Sequence, residues 1–350
     1  METHRIRALR NGLVRTPFPA RCHPGHDHGR LHTLQWLDRF GMLSGERATA
    51  EYDAMRLELL MAYFYPDAGP EDLRLASDLM GWFFVFDDQF DGSLGQRPEA
   101  VARLVDSVMR VMHEDTVRPH ESGDPLAESF RDLWQRVSKG MPPLWRNRFR
   151  DHWRDYLTAY HWEALNRTRQ GTLPLAGFLQ GRRDSIGVQP CLDLVERNGR
   201  YALPRELHQG APLAEMRKIT ADVVIFVNDI VSVDKELAAG DVNNSVIILH
   251  KETGRTVDDA VRHVALLANS RLARFQELAA GIGGTLGDMG VPEDVRDQVD
   301  HYVDGMRMLM SGNLAWSLQT ARYSEEGIAA VSQGRERPWA HLFRENARSS

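Results

Sequence analysis

Apolar residues recur at spacings of three and four along most of the chain from about residue 33 onward, and alternating apolar and polar runs are rare. This spacing is typical of helices that bury one face. The clearest example alternates steps of four and three through Val295, Val299, Tyr302, Met306, Leu309, Asn313, Trp316, Thr320 and Tyr323. It predicts one long helix with Pro292 in its first turn. The pattern as a whole predicts an all-α fold.

The character of this helical stripe changes along its length. From Val295 to Leu309 its members are apolar or aromatic, as expected for core packing. From Asn313 to Tyr323 it mixes polar and aromatic side chains. A buried face that becomes polar toward one end predicts an internal cavity that approaches solvent there.

Turn residues predict breaks between helices. They lie at Pro66 to Pro70, Ser122 to Pro125, Gly140 to Pro143 and the glycine-rich run Gly281 to Gly290. None of these segments is long or polar enough to be a flexible linker, and we find no internal repeat. We therefore expect a single domain over residues 1–350, with residues 1–30 as a covering strand and residues 334–350 as a tail.

Composition narrows the classes of function. Among 350 residues, 43 Lys and Arg stand against 49 Asp and Glu, which gives a net charge of −6. Because no basic cluster is present to neutralise phosphates, we expect no nucleic-acid partner. Two cysteines are too few for a disulfide framework, no stretch approaches the ~20 apolar residues of a membrane helix, and the N-terminus lacks the apolar core of a signal peptide. We expect a cytoplasmic protein without membrane insertion.

An acidic cluster follows an aromatic-rich helical run in GWFFVFDDQFDG, residues 81–92. Asp87 and Asp91 fall one helical turn apart on the same face. Two carboxylates held together there would repel each other without a cation, and hard oxygen ligands suit Mg²⁺. Phe83 and Phe84 precede the cluster by one turn, which places an aromatic wall beneath the predicted metal. A solvated acidic helix end is the alternative for such a pair alone.

A second cluster of oxygen ligands lies in ITADVVIFVNDIVSVDKELAAGD. Asn228, Ser232 and Glu236 are spaced by four, so they form one stripe over two helical turns. Amide, hydroxyl and carboxylate oxygens again describe a Mg²⁺ site, and Asn and Ser are otherwise poor residues for a helix interior. Below this stripe we expect an apolar wall formed by Ala221, Val224 and Ile225.

Basic residues accompany both clusters. Arg182 and Arg183 lie in GRRDSIGVQP, Lys235 flanks the second cluster, and Arg322 precedes Tyr323 at the end of the mixed stripe. Several metal ions together with separate cationic donors indicate a polyanionic ligand, most simply a diphosphate, since arginine offers a planar fork to phosphate oxygens.

The two acidic clusters resemble those of the bacterial class I terpene cyclases. Asp87 to Asp91 match the DDxxD motif of that family, and Asn228, Ser232 and Glu236 match its Asn/Ser/Glu triad. The sequence around WFFVFDDQFDG and SIGVQP is similar to that of sesquiterpene cyclases. The resemblance extends in order over about residues 81–323, which makes it far more specific than a single short motif.

Further residues match the same family. Arg182 lies 46 residues before the triad, the offset of the family's diphosphate-sensing arginine, and Ser185 and Ile186 follow at the positions of its linker and effector residues. Arg322 and Tyr323 match its C-terminal Arg-Tyr pair, and Trp316 matches its helix tryptophan.

The resemblance implies an isoprenoid-synthase helical bundle around a hydrophobic pocket, with three Mg²⁺ ions at its mouth and a possible homodimer. The implied reaction ionises a linear allylic isoprenyl diphosphate, releases pyrophosphate and cyclises the carbocation. Farnesyl diphosphate is the expected substrate, and a diterpene cyclase that uses geranylgeranyl diphosphate is the alternative.

The resemblance also assigns roles to residues. The expected metal ligands are Asp87, Asp91, Asn228, Ser232 and Glu236. The expected diphosphate-binding group is Arg182, Lys235, Arg322 and Tyr323. The expected pocket residues are Met80, Phe83, Phe84, Ser185, Ile186, Ala221, Val224 and Trp316.

Other interpretations remain at this point. An isoprenyl diphosphate synthase shares the fold but normally carries two aspartate-rich motifs, whereas the second cluster here is Asn/Ser/Glu. A non-catalytic helical scaffold would carry degenerate motifs, yet every expected ligand is present. The segment from Cys22 to His32, CHPGHDHGRLH, is dense enough in histidine to suggest zinc or nickel, although its spacing favours a polar loop. Cys191 lies in an apolar helix and is expected in the core.

Overall fold

A computed structural model describes residues 3–113, 124–169, 173–332, 337–340, 342 and 343 of the chain. All regular secondary structure among these residues is helical, which confirms the predicted all-α fold. The helices of the first half are α1 His4–Arg10, α2 His26–Arg39, α3 Gly45–Asp53, α4 Leu57–Phe64, α5 Pro70–Asp87, α6 Pro98–Val111, α7 Pro125–Ser138 and α8 Pro143–Thr168. Those of the second half are α9 Leu175–Ser185, α10 Val188–Asn198, α11 Arg205–His208, α12 Ala211–Ala239, α13 Ser245–Thr253, α14 Val257–Asp288, α15 Glu293–Ser317 and α16 Glu325–Ser332.

Helix α12 is the central element of the bundle. It is buried on all sides through its middle, which explains why the run from Val223 to Val227 is apolar without interruption. It packs against α14 and α15. The helix ends at Gly240, whose φ of 71° is a left-handed conformation that glycine adopts without strain.

Helix α5 is held by aromatic packing. Pro70 occupies its first turn. Trp82 stacks on Phe86 with ring centroids 4.6 Å apart, and Phe83 stacks on Trp153 of α8 at the same distance. Such pairs bury large areas and restrict side-chain rotation. The C-terminal end of α5, where the first acidic cluster begins, is therefore fixed against α8.

Two of the predicted breaks are confirmed, and a third begins later than predicted. Pro66 to Pro70 separates α4 from α5, and Gly140 to Pro143 separates α7 from α8. The break from Ser122 to Pro125 lies partly outside the described residues, although α7 begins at Pro125. The break predicted at Gly281 to Gly290 lies only at the end of that run, because α14 continues to Asp288 and α15 begins at Glu293. Each helical glycine costs only about 1 kcal/mol, and the burial of Ile282 and Leu286 on one face offsets that cost.

The predicted long helix ends earlier than its apolar pattern. Helix α15 stops at Ser317, and a separate 3₁₀ turn spans Ala321–Tyr323. The side chain of Thr320 caps that turn by accepting from the Arg322 backbone N–H, and its hydroxyl donates to the carbonyl of Met55 at 2.9 Å. These local bonds compete with continued helix, which is a known effect of threonine.

The N-terminal segment is not the predicted strand: it contains the short helix α1, and residues 11–25 have no regular secondary structure. Thr3 caps α1, because its side chain accepts from the backbone N–H of Ile6. The buried Arg5 pairs with Asp258 and lies 3.4 Å from Asp234 of α12. Much of the predicted tail lies outside the described residues, but Trp339 within it is buried.

Among the described residues, no helix combines the length and the apolarity that crossing a bilayer requires.

Candidate active site

A cavity of about 690 Å³ opens between the ends of α5, α8, α9, α12 and α15. It is lined by all but one of the predicted site residues. These are Met80, Phe83, Phe84, Asp87, Asp91, Arg182, Ser185, Ile186, Val224, Asn228, Ser232, Lys235, Glu236, Trp316, Arg322 and Tyr323. The prediction is wrong for Ala221, and also for its neighbour Ile225: both are fully covered by surrounding side chains and lie behind the cavity wall.

Arg322 bridges the first two aspartates of the first cluster. Its Nη2 lies 2.9 Å from Asp88 Oδ1 and 3.5 Å from Asp87 Oδ2. Its guanidinium also stands 4.9 Å from the centre of the Phe84 ring, within the range of a cation–π contact. The 3₁₀ turn that replaces the last part of the predicted helix thus positions Arg322 beside the acidic motif.

The two outer aspartates of this cluster have opposite pKa shifts. Burial, followed by repulsion from Asp91, raises the pKa of Asp87 to about 6, although 46% of its side chain stays exposed. Burial also acts to raise the pKa of Asp91, but Lys235 and Arg322 outweigh it and lower the pKa to about 2. Lys235 Nζ lies 2.9 Å from Asp91 Oδ2. A cation already neutralises Asp91, whereas Asp87 lacks comparable compensation.

The second cluster lies on α12 and is partly oriented by α13. Asn228 accepts a hydrogen bond from Arg182 at 3.2 Å and donates one to the Tyr323 hydroxyl at 2.9 Å. Asn244 donates to Glu236 Oε2 at 2.6 Å. Burial, with repulsion from neighbouring aspartates, raises the pKa of Glu236 to about 8. The side chains are held in place, but the charge of Lys235 and the hydrogen bond from Asn244 only partly offset these effects on the carboxyl of Glu236.

Arg182 sits where the wall of the cavity changes direction. Its guanidinium donates to Ser185 Oγ at 3.0 Å and to Glu163 Oε1 at 3.3 Å. Helix α9 ends at Ser185, Gly187 adopts a φ of 73°, and α10 begins at Val188. The helix break places the negative end of α9 beside the cavity.

Arg183 does not belong to the site, although it is next in sequence. It pairs with the fully buried Asp222, with Nε 2.6 Å from Oδ1, and Asp222 also receives Arg271. Adjacent residues on a helix point about 100° apart, so one arginine faces the cavity and the other faces α14.

The oxygen donors fit a hard divalent cation. Carboxylate, amide and hydroxyl oxygens are the ligands that Mg²⁺ uses, and they come from α5 and α12 on two sides of one cavity. Burial and neighbouring carboxylates raise the pKa values of Asp87 and Glu236 and so disfavour their charged forms, which a bound cation would favour.

Another group of possible metal ligands lies outside this cavity. The ligand atoms of Asp193, Glu196 and His208 lie within 4.8 Å of one another. Sequence reasoning did not identify this group, because its members come from α10 and α11 without a motif. Arg148 already bonds both carboxylates, so the group has a counter-ion.

The histidine-rich segment has protein partners among the described residues. His23 Nδ1 accepts from the Gly25 backbone N–H at 2.8 Å, and its Nε2 lies 3.1 Å from the carbonyl of Ala68. His32 lies 3.0 Å from Asp78. The predicted polar loop is correct only up to Gly25, because the segment from His26 onward is the start of α2.

Sequence reasoning missed several residues of the site. Tyr160 of α8 donates to Asp87 Oδ1 at 3.1 Å. Trp339 donates through Nε1 to Asp88 Oδ2 at 3.0 Å, and Gln89 donates to the Trp339 carbonyl at 2.9 Å. Tyr160 belongs to an aromatic helix with no motif. The only sequence feature that could have pointed to Trp339 is that it is a single tryptophan in a polar C-terminal segment.

The helical bundle, with oxygen donors from α5 and α12 and cationic side chains around one cavity, agrees with the class of terpene synthases. The chain belongs to terpene synthase family 2, because the family model described as "Terpene synthase family 2, C-terminal metal binding" matches residues 78–274. That match includes both acidic clusters and Arg182.

Similar proteins support this assignment over almost the whole chain. The chain is 57% identical to pristinol synthase of Streptomyces pristinaespiralis, over 95% of this chain and 90% of that protein. It is 54% identical to isoafricanol synthase of Streptomyces violaceusniger, over 95% and 89% respectively. It is 32% identical to (-)-beta-caryophyllene synthase ((2E,6E)-farnesyl diphosphate cyclizing) of Saccharothrix espanaensis, over 89% and 88%. The solved structure of wild-type cucumene synthase superposes with a TM-score of 0.75 at 30% identity, over 86% of this chain and 98% of that one.

Proposed function

We propose that the protein is a Mg²⁺-dependent class I terpene cyclase that converts farnesyl diphosphate into a cyclic sesquiterpene and pyrophosphate. The observation that carries this proposal is the cavity itself. Oxygen donors from α5 and α12 and the side chains of Arg182, Lys235 and Arg322 line the same cavity as Phe83, Phe84 and Trp316. We also infer that residues 1–350 form one domain, since residues far apart in sequence build this single site.

The choice of farnesyl diphosphate rests on a relative. The caryophyllene synthase is named as a farnesyl diphosphate cyclase, and the pristinol and isoafricanol synthases, each more than 50% identical to this chain, carry product names that end as alcohols do. We infer the same C15 substrate here and an alcohol product, which requires that water add to the final carbocation.

The metal ligands in this proposal are Asp87, Asp91, Asn228, Ser232 and Glu236. When bound there, Mg²⁺ supplies Lewis-acid stabilisation of charge on phosphate oxygens. The pKa of Glu236, raised to about 8, means that binding a cation must first displace a proton near neutral pH.

The cationic side chains bind the diphosphate and stabilise its charge as the C–O bond breaks. Arg182 and Arg322 contribute planar forks of N–H donors, and Lys235 contributes a compact charge. All three side chains are at most 13% exposed, so they act in a site with little competing water. Tyr323 adds a hydroxyl that Asn228 already orients by a hydrogen bond at 2.9 Å.

The aromatic wall receives the carbocation that remains. Phe84 and Trp316 meet edge to face at 5.8 Å, and Phe83 is fixed by Trp153 and Tyr156. Their ring faces stabilise positive charge by about 1–2 kcal/mol each in a desolvated site and have no lone pair that could react. The fixed wall also folds the isoprenyl chain before cyclisation.

The direct test is to incubate the purified protein with geranyl, farnesyl and geranylgeranyl diphosphates, with and without MgCl₂, and to analyse the extracts by gas chromatography and mass spectrometry. We expect a cyclic C15 product from farnesyl diphosphate only when Mg²⁺ is present. A cyclic C20 product alone would replace the substrate assignment, and the absence of any cyclic product would refute the proposal.

Variants make this test specific to the site. Asp87→Ala and Asn228→Ala should each remove most turnover while the circular dichroism spectrum is unchanged. Asp67→Ala is the matched control, because Asp67 is 68% exposed and pairs with Arg21 on the surface, where an ion pair contributes little. Rates near that of the wild type in both site variants would show that the ligands are wrongly assigned.

A further inference from the structure

Arg337 lines the active-site cavity with a guanidinium group that has no partner. The residue is half-buried and follows α16 in the C-terminal segment. Its side chain forms no hydrogen bond and no ion pair with any described residue. A positive charge that faces the cavity is therefore free to bind a ligand.

The other cationic side chains of this cavity are engaged. Four of them pair with carboxylates of the cavity wall: Arg167 with Asp241 at 2.9 Å, Arg182 with Glu163 at 3.3 Å, Lys235 with Asp91 at 2.9 Å, and Arg322 with Asp88 at 2.9 Å. Arg97 also lines the cavity and has a partner as well. Among the described lining residues, Arg337 is thus the cation that an anion could bind without displacing another group.

A tight turn fixes the backbone of Arg337. The Arg337 carbonyl accepts a hydrogen bond from the Ala340 backbone N–H at 3.0 Å, with Pro338 at the second position of the turn. Proline presets the backbone angle at that position and restricts the residue before it. Trp339, the third residue, is buried and meets the Tyr52 ring edge to face at 6.2 Å. Arg337 therefore extends from a short, rigid turn.

The same turn is anchored beside the first acidic cluster. Trp339 donates to Asp88 Oδ2 at 3.0 Å, and Gln89 donates to the Trp339 carbonyl at 2.9 Å. Two residues of chain span at most about 7 Å, so the Arg337 backbone lies close to this anchor. Asp88 is already satisfied, because it also accepts from Arg322 at 2.9 Å. Arg337 is held near the acidic cluster without being paired to it.

The chemistry of an unpaired arginine in this place suits a phosphate group. A guanidinium offers a planar fork of N–H donors that matches two phosphate oxygens. The four paired cations can bind such a ligand only by exchanging a carboxylate for it, whereas Arg337 has no carboxylate to exchange. Half-burial also reduces the screening of its charge by salt.

We propose that Arg337 binds the diphosphate group of the substrate together with Arg182, Lys235 and Arg322, an inference that rests on the proposed cyclase function. Its N–H groups donate to phosphate oxygens, and its charge adds to that of the other three side chains. The turn around Trp339 holds the guanidinium at the cavity before the substrate binds, so little ordering is needed on binding.

The variant Arg337→Gln tests this proposal, with Arg337→Lys to keep the charge and Arg47→Gln as the matched control. Arg47 is 64% exposed and pairs with Glu51 one turn further along α3, so its replacement removes the same charge from a surface outside the cavity. The affinity for inorganic pyrophosphate in MgCl₂ is measured by isothermal titration calorimetry, and the thermal midpoint is measured with and without that ligand.

We expect Arg337→Gln to weaken pyrophosphate binding about tenfold, the low end for one charge-assisted hydrogen bond at a half-buried site. Arg337→Lys should weaken it less, and Arg47→Gln should leave it unchanged. Because Arg337 has no partner without the ligand, the ligand-free thermal midpoint should be that of the wild type. Only the rise of the midpoint on adding MgCl₂ and pyrophosphate should be smaller.

Each other outcome has a defined meaning. An unchanged affinity in Arg337→Gln, or an equal loss in Arg47→Gln, overturns the inference. A lower ligand-free midpoint in both Arg337 variants also overturns it, because the weaker binding would then follow from a weakened fold. None of these results affects the cyclase proposal if the wild type still cyclises farnesyl diphosphate. A wild type that neither binds pyrophosphate nor consumes an isoprenyl diphosphate refutes the proposed function itself.

Discussion

Arg182 and Arg183 provide a matched pair for testing the proposed role of Arg182 in binding a diphosphate. They are adjacent on α9 and carry the same charge. Arg182 lines the cavity, whereas Arg183 pairs with Asp222 on the other side of the helix. The substitution Arg→Lys at each position keeps the charge and removes the planar fork of donors.

The expected effect of Arg182→Lys follows from the contacts of the guanidinium. It donates to three side chains, those of Glu163, Ser185 and Asn228, at 3.0–3.3 Å. A lysine ammonium cannot span these acceptors and the diphosphate together. Losing two charge-assisted hydrogen bonds in the transition state, at about 1.5–3 kcal/mol each, lowers kcat by roughly 10²- to 10⁴-fold.

The expected effect of Arg183→Lys is on stability. Asp222 is fully buried but also holds Arg271 at 2.9 Å, so its charge stays compensated. We expect a loss of about 1.5–3 kcal/mol in the free energy of unfolding, the value of one charged hydrogen bond, and an unchanged kcat.

The assay is pyrophosphate release under saturating farnesyl diphosphate and MgCl₂, with single-turnover measurements that separate ionisation from product release. Urea denaturation of both variants gives the free energies of unfolding. If Arg183→Lys slows turnover as much as Arg182→Lys, or if Arg182→Lys keeps a normal rate, the assignment of Arg182 to the diphosphate is refuted.

Three further predictions concern charge, backbone and the C-terminal segment. The pKa of Glu236 is raised to about 8 in the folded state, so the metal-free protein loses stability as pH rises from about 4.5 through 8. Its thermal midpoint should therefore fall from pH 5 to pH 8 unless MgCl₂ and pyrophosphate are added. A thermal midpoint that does not change with pH in EDTA would contradict this. Gly283→Ala and Gly284→Ala, where an added Cβ meets nothing within 4 Å, should each raise the free energy of unfolding by about 0.5–1 kcal/mol in urea denaturation, and a lower midpoint would count against a continuous α14. Trp339→Phe removes the donor at 3.0 Å from Asp88 and should lower stability by about 1–3 kcal/mol together with the rate of pyrophosphate release, whereas unchanged values for both would show that this bond is dispensable.

The parts of the site that the sequence predicts are those with a local period. Asn228, Ser232 and Glu236 share a face because their spacing of four matches the helical turn, and the structure places all three at the cavity. Periodicity fails where a local bond overrides it. The stripe continues in register to Tyr323, but the Thr320 hydroxyl bonds the carbonyl of Met55 and the helix does not continue.

Contacts between distant segments could not be predicted in this way. Tyr160, Glu163 and Trp339 reach the site from segments whose own sequence shows no motif, and their roles depend on how α8 and the C-terminal segment pack against α5 and α12. The side of α9 that each arginine faces is another such case. The resemblance to the family singles out Arg182 by its offset from the triad, but the partner that holds Arg183 on the other side of the helix, Asp222, could not be predicted from the sequence.

The acidic and cationic side chains of the site form ion pairs with each other. Lys235 pairs with Asp91, and Arg322 bridges Asp87 and Asp88. Burying each of these groups alone would be costly, and pairing reduces that cost. If a diphosphate binds the cationic side chains, the carboxylates lose their partners and need another positive charge. If a metal ion binds the carboxylates, the cationic side chains need another negative charge. Because the two exchanges satisfy each other, the proposed function predicts that metal and diphosphate bind with positive coupling that acts equally in both directions.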